Sequence, residues 1–402
     1  MPILSIVIPA YNNSRFLPEC VSSVLSQDFR DIEIIIVDDA STDDTPAIID
    51  DLKKSDSRIR AIRHELNQGT LAARSTGVKH AHGSFIMFID QDDSLKPGTL
   101  LKLVQISHQH PADIYHFGVQ VEAANDSAQQ ASAGMSTFLN PIPRTIQGKA
   151  ILQVQFSEDN GFDWHLHHKM FRAELIQRAY HVAEPTRLLL SDDLYMNFII
   201  DSLACEYIAL PDSPWYFYHL GRGDTLGSAL SLSALRHISQ RDAKALTLIR
   251  QFVESTAAPA RSDWNERIAD VRDRLIEHTM NEWKDNLPDI EKNSGLNAIF
   301  DCWQADAVAG ELYRYTRDYA YNYLQQPDKT SPTAVNSQKE ALAYFERARH
   351  AEQRFQSSGS RNRRYQSMKA IANQHLRDSN LTTDQSQQPV SGLYAWIRHL
   401  LN

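Results

Sequence analysis

Carboxylate side chains cluster at one point in the first quarter of the chain, at Asp90-Gln91-Asp92-Asp93. The cluster follows the apolar run 85–89 and precedes a helical pattern. In an open parallel sheet, ligands bind beyond the carboxyl ends of the strands, so carboxylates at this point face the ligand crevice. They could hold Mg²⁺ or Mn²⁺, which accept carboxylate and phosphate oxygens together. The alternative is that Asp92 and Asp93 only cap the next helix.

Two other predicted strands also end in polar residues. Tyr11 and Asn12 follow the first strand, and the second runs into Asp38 and Asp39. Tyr11 could stack on a nucleobase, and an aspartate can accept the imide N–H of uracil. Three adjacent strand ends then converge on one crevice, and the metal-binding carboxylates there imply a diphosphate ligand. A turn of Asp, Ser and Thr is equally ordinary before a helix.

A sheet is needed to hold these groups. The first 120 residues alternate β-branched runs with helical patterns, which predicts an α/β fold with a doubly wound, largely parallel sheet. We predict strands at 4–9, 33–37, 59–63 and 85–89, and helices near 15–26, 45–54, 70–81 and 97–108. Ser14 and either Asp43 or Asp44 are the predicted caps of the first two helices.

The rest of the chain is predicted to be mainly helical. A polar stretch at 123–134 is predicted to be a surface loop, and 148–220 completes the first domain. Helices dominate after about residue 231, a Pro/Ser/Thr linker spans 325–338, and an amphipathic stripe lies at 393–401. The predicted domains are therefore a nucleotide-binding domain at 1–225, a helical region at 226–325, and a linker with basic and amphipathic helices at 326–402.

Charge and cysteine content restrict the class of protein. The net charge of −9 argues against a general nucleic-acid binder, which needs a basic surface. Residues 339–377 are locally basic, with nine Lys or Arg against three Glu. Three widely spaced cysteines suit a reducing compartment, and no signal peptide or membrane span is predicted, so we expect a cytoplasmic protein.

Four motifs occur in a characteristic order: Val7-Ile8-Pro9-Ala10-Tyr11-Asn12, Val37-Asp38-Asp39-Ala40-Ser41-Thr42-Asp43, Asn67-Gln68-Gly69 with Ala73-Arg74, and Asp90-Gln91-Asp92-Asp93. In order and spacing the sequence closely resembles the family 2 glycosyltransferases of bacterial polysaccharide and glycoconjugate synthesis, over about residues 3–220. The resemblance implies a GT-A fold and a nucleotide site made by Pro9, Tyr11, Asp39, Asn67, Arg74 and Asp90. It makes Asp92 the principal ligand of Mn²⁺ or Mg²⁺. Ser75 departs from the Asn that the family often has there.

The acceptor side of such an enzyme needs a general base, because an acceptor hydroxyl must lose its proton. Asp192 and Asp193 resemble the family's acidic pair at the start of a helix, which implies that Asp193 is the base; Ser191 or Asp192 could also simply cap that helix. The segment 164–172, rich in histidine, resembles the acceptor-side wall. His219 lies where the family brings a late polar residue to the diphosphate, so it is a candidate metal or phosphate contact.

These features predict an inverting glycosyltransferase, hexosyl or N-acetylhexosaminyl, that moves a sugar from a UDP-sugar to a hydroxyl of a glycan or lipid-linked acceptor. A non-catalytic sugar-nucleotide-binding or scaffold protein is one alternative. A nucleotidyltransferase is another, but the first strand is not followed by a glycine-rich phosphate loop. The C-terminal stripe suits peripheral contact with anionic lipid at the inner face of the membrane, or packing on its own domain or a second subunit of a homo-oligomer.

Overall fold

The computed structural model describes residues 2–157, 161–162, 165–188, 191–223, 230–255, 258–355 and 360–381. The strands are β1 Leu4–Ala10, β2 Ile32–Asp38, β3 Ile59–Arg63, β4 Phe85–Phe88, β5 Ser94–Leu95, β6 Ile114–Ala123, β7 Thr145–Gln147, β8 Phe156–Ser157, β9 Gly161–Phe162, β10 Lys169–Arg172 and β11 Glu206–Leu220. The helices are α1 Leu17–Leu25, α2 Thr45–Ser55, α3 Thr70–Lys79, α4 Thr99–Gln109, α5 Asp126–Leu139, α6 Ala150–Gln155, α7 Ala173–Val182, α8 Asp192–Leu203, α9 Leu232–Glu254, α10 Trp264–Asn286, α11 Lys292–Phe300, α12 Ala305–Gln325, α13 Pro332–Glu352 and α14 Arg363–Asp378.

The main sheet of the described residues runs in the order β3-β2-β1-β4-β10-β6-β11-β5, with β7 paired to β11. The first four strands are parallel, whereas β10 is antiparallel to both of its neighbours. Every residue of β1 and β2 is buried, which is typical of parallel strands covered by helices on both faces. The four predicted strands and the predicted α/β fold are therefore confirmed.

Helix α3 packs unusually close to β1. A Cβ atom on Gly77 would lie 2.3 Å from Cγ1 of Val7, so only glycine fits at this position. Because real Cβ contacts do not approach this distance, the glycine sets how deeply α3 lies against the sheet. The same helix carries Arg74, which is thereby brought to the carboxyl ends of the strands.

Some local predictions were wrong. The predicted loop at 123–134 is mostly α5, whose first turn is capped by Asn125 accepting from the amide of Ala128. An alanine-rich segment favours a helix once its first turn is capped. The loop was predicted because the segment is also rich in polar residues. Part of the predicted linker at 325–338 belongs to α13, which begins at Pro332 with Ser331 as its cap. Ser14 does not cap α1, which begins at Leu17.

The chain divides into two compact units, residues 1–295 and 296–402. The first unit contains the sheet together with α9 and α10, so the predicted boundary at residue 225 falls inside it. In the second unit α12 packs against α13 and α14, and Ala320, Ala341 and Leu376 are buried between them. The C-terminal stripe at 393–401 lies outside the described residues, and its proposed lipid or subunit contact stays a prediction.

None of the described helices is both long enough and apolar enough to cross a lipid bilayer.

Candidate functional site

A cavity of about 550 Å³ opens where β1 and β4 end, between the loops that follow them. Arg222 and Gly223, just after β11, also line it. Among its lining residues are eight that the sequence predicted: Pro9, Tyr11, Asp39, Arg74, Asp90, Asp92, Asp193 and His219. The ninth, Asn67, lies outside this lining, and its side-chain oxygen accepts a hydrogen bond from Arg187.

Asp39 is held firmly beside the cavity. Its carboxylate accepts hydrogen bonds from the ring of His64 at 2.7 Å and from the amides of Gln68 and Gly69 at 2.9 and 2.7 Å. A carboxylate has about four acceptor positions, so three donors leave one for a ligand. The Asn67-Gln68-Gly69 motif therefore acts through its backbone, by orienting Asp39.

Tyr11 also lines the cavity, with 44% of its surface exposed. The next residue, Asn12, has a φ of 46°, in the left-handed region that asparagine tolerates better than most residues. In this conformation its side-chain oxygen accepts from the amide of Thr42 at 2.7 Å. This hydrogen bond joins the loop after β1 to the loop after β2, so the turn that carries Tyr11 is held in a fixed conformation.

Gln91 is a residue whose role the sequence did not reveal. Its side-chain oxygen accepts from the amide of Tyr11 at 2.9 Å, and its side-chain nitrogen donates to the carbonyl of Tyr11 at 3.1 Å. The Gln91 side chain thus makes the same pair of hydrogen bonds to Tyr11 that the backbone of a neighbouring strand would make, and it joins the loop after β1 to the loop after β4. The sequence feature that could have indicated this role is the position of the Gln91 amide between two aspartates.

Asp93 faces the protein rather than a ligand. It is buried and accepts hydrogen bonds from the hydroxyl of Tyr216 and the amide of His219, both at 2.8 Å. Burial, and then the charges of Asp92 and Asp90, raise the pKa of Asp93 well above its usual value. Asp93 therefore fixes β11 to the acidic loop, whose other two carboxylates, Asp90 and Asp92, also line the cavity.

His219 lies among charged groups at the end of β11. Its Nε2 is 3.3 Å from Glu122 and 3.7 Å from Glu19, while its buried Nδ1 has no hydrogen-bond partner among the described residues. Burial, and then the charge of Arg222, lower the pKa of His219, so its neutral ring carries a nitrogen lone pair at neutral pH. Arg222 is itself paired with Glu19 at 2.8 Å.

Arg74 joins the two sides of the cavity. Its guanidinium is buried and donates to Asp90 at 2.9 Å, to Asp192 at 3.1 Å and to Asp193. Asp90 comes from the acidic loop after β4, whereas Asp192 and Asp193 open α8. One cation thus holds carboxylates from the predicted donor side and from the predicted acceptor side.

The pKa values of the acidic pair are raised because both carboxylates are buried. Burial, and then the charge of Asp193, raise the pKa of Asp192 to about 7, although Arg74 opposes the shift. Burial also raises the pKa of Asp193, again against the attraction of Arg74. A carboxylate with a raised pKa is a stronger proton acceptor than an ordinary aspartate.

The backbone around Asp193 is also fixed. Its second carboxylate oxygen accepts from the amide of Leu166 at 3.3 Å, and its carbonyl accepts from the side chain of Asn197 at 3.0 Å. Ser191 does not cap α8 with its side chain, contrary to one of the two sequence interpretations. Its hydroxyl donates instead to the carboxylate of Asp242 at 2.7 Å.

The histidine-rich segment packs against β11. His167 stacks on Tyr216 and Tyr218 with ring centroids 5.0 and 5.6 Å apart, and His168 lies against His167. Trp164 lies outside the described residues. In the part of the chain that the structure describes, no group of three or more His, Cys, Asp or Glu side chains is arranged to hold a metal ion by itself.

Residues 5–179 match the family model described as "Glycosyl transferase family 2". This part of the chain is therefore similar to glycosyl transferase family 2. Proteins similar to this chain include the glycosyltransferase EpsJ of Bacillus subtilis, 32% identical over 186 residues that cover 44% of this chain and 50% of EpsJ. Another is the GalNAc(5)-diNAcBac-PP-undecaprenol beta-1,3-glucosyltransferase of Campylobacter jejuni, 36% identical over 158 residues, or 39% of this chain and 50% of that protein. The chain spans about half the length of these two relatives.

Among solved structures, S. aureus TarS 1-349 superposes with a TM-score of 0.55 at 16% identity, covering 88% of this chain and 91% of TarS 1-349. The same protein in complex with UDP-GlcNAc gives a TM-score of 0.55 at 17% identity, over 88% and 92% of the two chains. At these identities the likeness establishes the fold. The predicted GT-A fold followed by a mainly helical C-terminal region is confirmed.

Proposed function

We propose that this chain is an inverting glycosyltransferase that transfers a hexose or N-acetylhexosamine from a UDP-sugar to a hydroxyl of a glycan or lipid-linked acceptor. The observation that carries the proposal is that Asp92 and Asp193 line the same cavity, in which Arg74 pairs with both Asp90 and Asp193. The match of residues 5–179 to the family model supports the reaction class, and the name of the C. jejuni relative supports a polyprenol-linked acceptor. We further propose that this transfer takes place in the cytoplasm, at the inner face of the membrane.

In this reaction the acceptor oxygen attacks the anomeric carbon while the bond from that carbon to the phosphate oxygen breaks, and UDP leaves. Asp193 takes the proton of the acceptor hydroxyl, a role that its raised pKa favours. Tyr11 stacks on the uracil ring, and the remaining acceptor position of Asp39 takes its imide N–H. Arg74 keeps Asp90 and Asp193 at a fixed separation across the cavity.

The residues present fit a divalent metal shared with the donor. Asp92 and His219 both line the cavity, and Nδ1 of His219, 3.8 Å from Asp93, makes no hydrogen bond among the described residues. Mg²⁺ commonly binds one or two protein ligands together with substrate phosphates. Asp92, with His219 as a second ligand, would hold Mn²⁺ or Mg²⁺. The ion would neutralise charge on the departing diphosphate.

The test is nucleotide release from a panel of UDP-, GDP- and dTDP-sugars, with Mn²⁺, with Mg²⁺ and with EDTA. We expect release from a UDP-sugar that depends on the metal and is abolished in Asp92→Ala. In Asp193→Asn transfer should fall by about 10²- to 10⁴-fold, the usual contribution of a general base, while UDP binding is kept. Asp50→Asn, an exposed carboxylate on α2, is the matched control.

Binding of a sugar nucleotide with no turnover across a panel of glycan and polyprenol-linked acceptors would contradict the enzyme proposal and favour the scaffold alternative. Full activity of Asp193→Asn would instead remove only its role as base.

A further inference from the structure

The carboxylate of Asp242 is fully buried in α9. One of its oxygens accepts from the hydroxyl of Ser191 at 2.7 Å and from Arg241 at 2.9 Å. The other accepts from His278 at 2.8 Å and from the hydroxyl of Thr279 at 3.0 Å. A buried charge is tolerated only when it is paired and hydrogen-bonded, and here each oxygen has two donors.

Burial alone would raise the pKa of Asp242, but the hydrogen bond and charge of His278, with Arg241 and Ser191, hold it below its usual value. Asp242 is therefore ionised at neutral pH. A hydrogen bond to an ionised acceptor is about twice as strong as one between neutral groups, so Ser191 is held tightly.

Ser191 directly precedes Asp192 and Asp193 at the start of α8. Helix α9 has a further hold on the same segment, because Lys244 donates to the hydroxyl of Thr186 at 2.6 Å and to the carbonyl of Arg187 at 3.1 Å. The backbone that carries the acidic pair is thus attached to α9 from one side, while Arg74 attracts the carboxylates from the other.

We propose that Asp242 is a positioning residue that acts through Ser191 to hold Asp193 at its reacting position. Helices α9 and α10 are then part of the catalytic unit, although they lie beyond residues 5–179 that match the family. The proposal rests on the proposed role of Asp193 as base. A reacting group displaced by about 1 Å can cost about 10²-fold in rate, so a single hydroxyl can matter here.

The decisive comparison uses serine variants, because removing Asp242 would leave its four donors unpaired and could unfold the protein. Ser191→Ala deletes the hydroxyl that Asp242 holds, and Ser191→Thr keeps it. Ser239→Ala is the matched control. Ser239 lies on α9 and, like Ser191, is a buried serine, but its hydroxyl has no hydrogen-bond partner among the described residues.

We expect kcat of Ser191→Ala to fall about 10- to 100-fold with the KM for the UDP-sugar within about twofold, since the donor side is untouched. Ser191→Thr should recover kcat to within about threefold of wild type, and Ser239→Ala should match wild type. An unchanged kcat in Ser191→Ala, or an equal loss in Ser239→Ala, overturns the proposal.

Hydrogen exchange of a peptide covering residues 191–200 gives a second readout that does not depend on turnover. Faster exchange in Ser191→Ala than in wild type and Ser239→Ala supports the anchor, and unchanged exchange overturns it. If wild type releases no nucleotide from any donor, the proposed function fails, and the exchange comparison still decides whether Asp242 holds the start of α8.

Discussion

Replacing Arg74 with glutamine should make transfer strongly dependent on pH. Arg74 contacts Asp90, Asp192 and Asp193, and its attraction lowers the pKa of Asp193 against the effect of burial. Unit charges about 4 Å apart attract by about 4 kcal/mol at an effective dielectric constant of about 20. Without this attraction Asp193 retains its proton to higher pH, so less of the enzyme has an ionised base at acidic pH.

The size of the effect follows from the free energy lost. We take about 3 kcal/mol of the attraction to be lost after local relaxation. Since about 1.4 kcal/mol changes the ionised fraction of Asp193 tenfold, kcat/KM should fall about 100-fold at pH 6. The loss should be smaller at pH 9, where the carboxylate ionises even without the guanidinium.

The assay is kcat/KM for UDP-sugar transfer measured from pH 5.5 to pH 9.5. Arg58→Gln is the control, because Arg58 pairs with Asp56 at 2.8 Å and neither residue lines the cavity, so its profile should match wild type. A loss in Arg74→Gln that is equal at all pH values would refute the electrostatic role of Arg74.

Two predictions concern stability. Burial and the charge of Asp193 raise the pKa of Asp192 to about 7 in the folded protein, against about 3.9 in the unfolded chain. Between these pH values the folded state binds one more proton than the unfolded state, so stability falls as the pH rises. The free energy of unfolding of wild type should therefore fall by roughly 2–3 kcal/mol from pH 5 to pH 8. Asp192→Asn should remove that loss in urea unfolding, and an unchanged slope would contradict the assignment. Gly77→Ala should destabilise by about 1–3 kcal/mol because its Cβ would meet Val7. Gly134→Ala, with open space around a helical glycine, should instead stabilise by up to about 1 kcal/mol, and equal melting temperatures for the two variants would count against the packing argument.

The parallel strands were predictable because each is a short, continuous apolar run bounded by polar turns. Burial on both faces demands that pattern, and Ile32–Asp38 follows it closely. The convergence of Tyr11, Asp39 and Asp90 was predictable for a related reason, since the carboxyl ends of parallel strands meet at one edge of the sheet.

The contacts of individual side chains were not predictable in the same way. Asn67 lies in a motif that resembles the family's nucleotide site, yet it is the amides of Gln68 and Gly69 that bind Asp39. Every residue except proline has a backbone N–H, so residue types do not show which amides will donate to a given side chain. Ser191 read as a helix cap, because its true partner Asp242 lies 51 residues away along the chain.

Asp242 left a faint signal that needed a tertiary structure to interpret. It follows Ser239 on the buried face of α9, where the other buried positions are apolar. A charged residue at such a position predicts buried partners, but sequence alone does not say which. Arg74 posed the same difficulty, because its three carboxylates come from two distant segments.

The paired amide bonds between Gln91 and the backbone of Tyr11 bear on how strongly a nucleotide can be bound. Two loops that were independent would each lose conformational entropy on binding, and that loss would weaken affinity. Here the loop that presents an aromatic ring and the loop that carries Asp92 are already fastened together. The ordering cost is met when the protein folds, so the proposed nucleotide ligand would meet a preorganised surface, and more of its contact energy would be available as affinity.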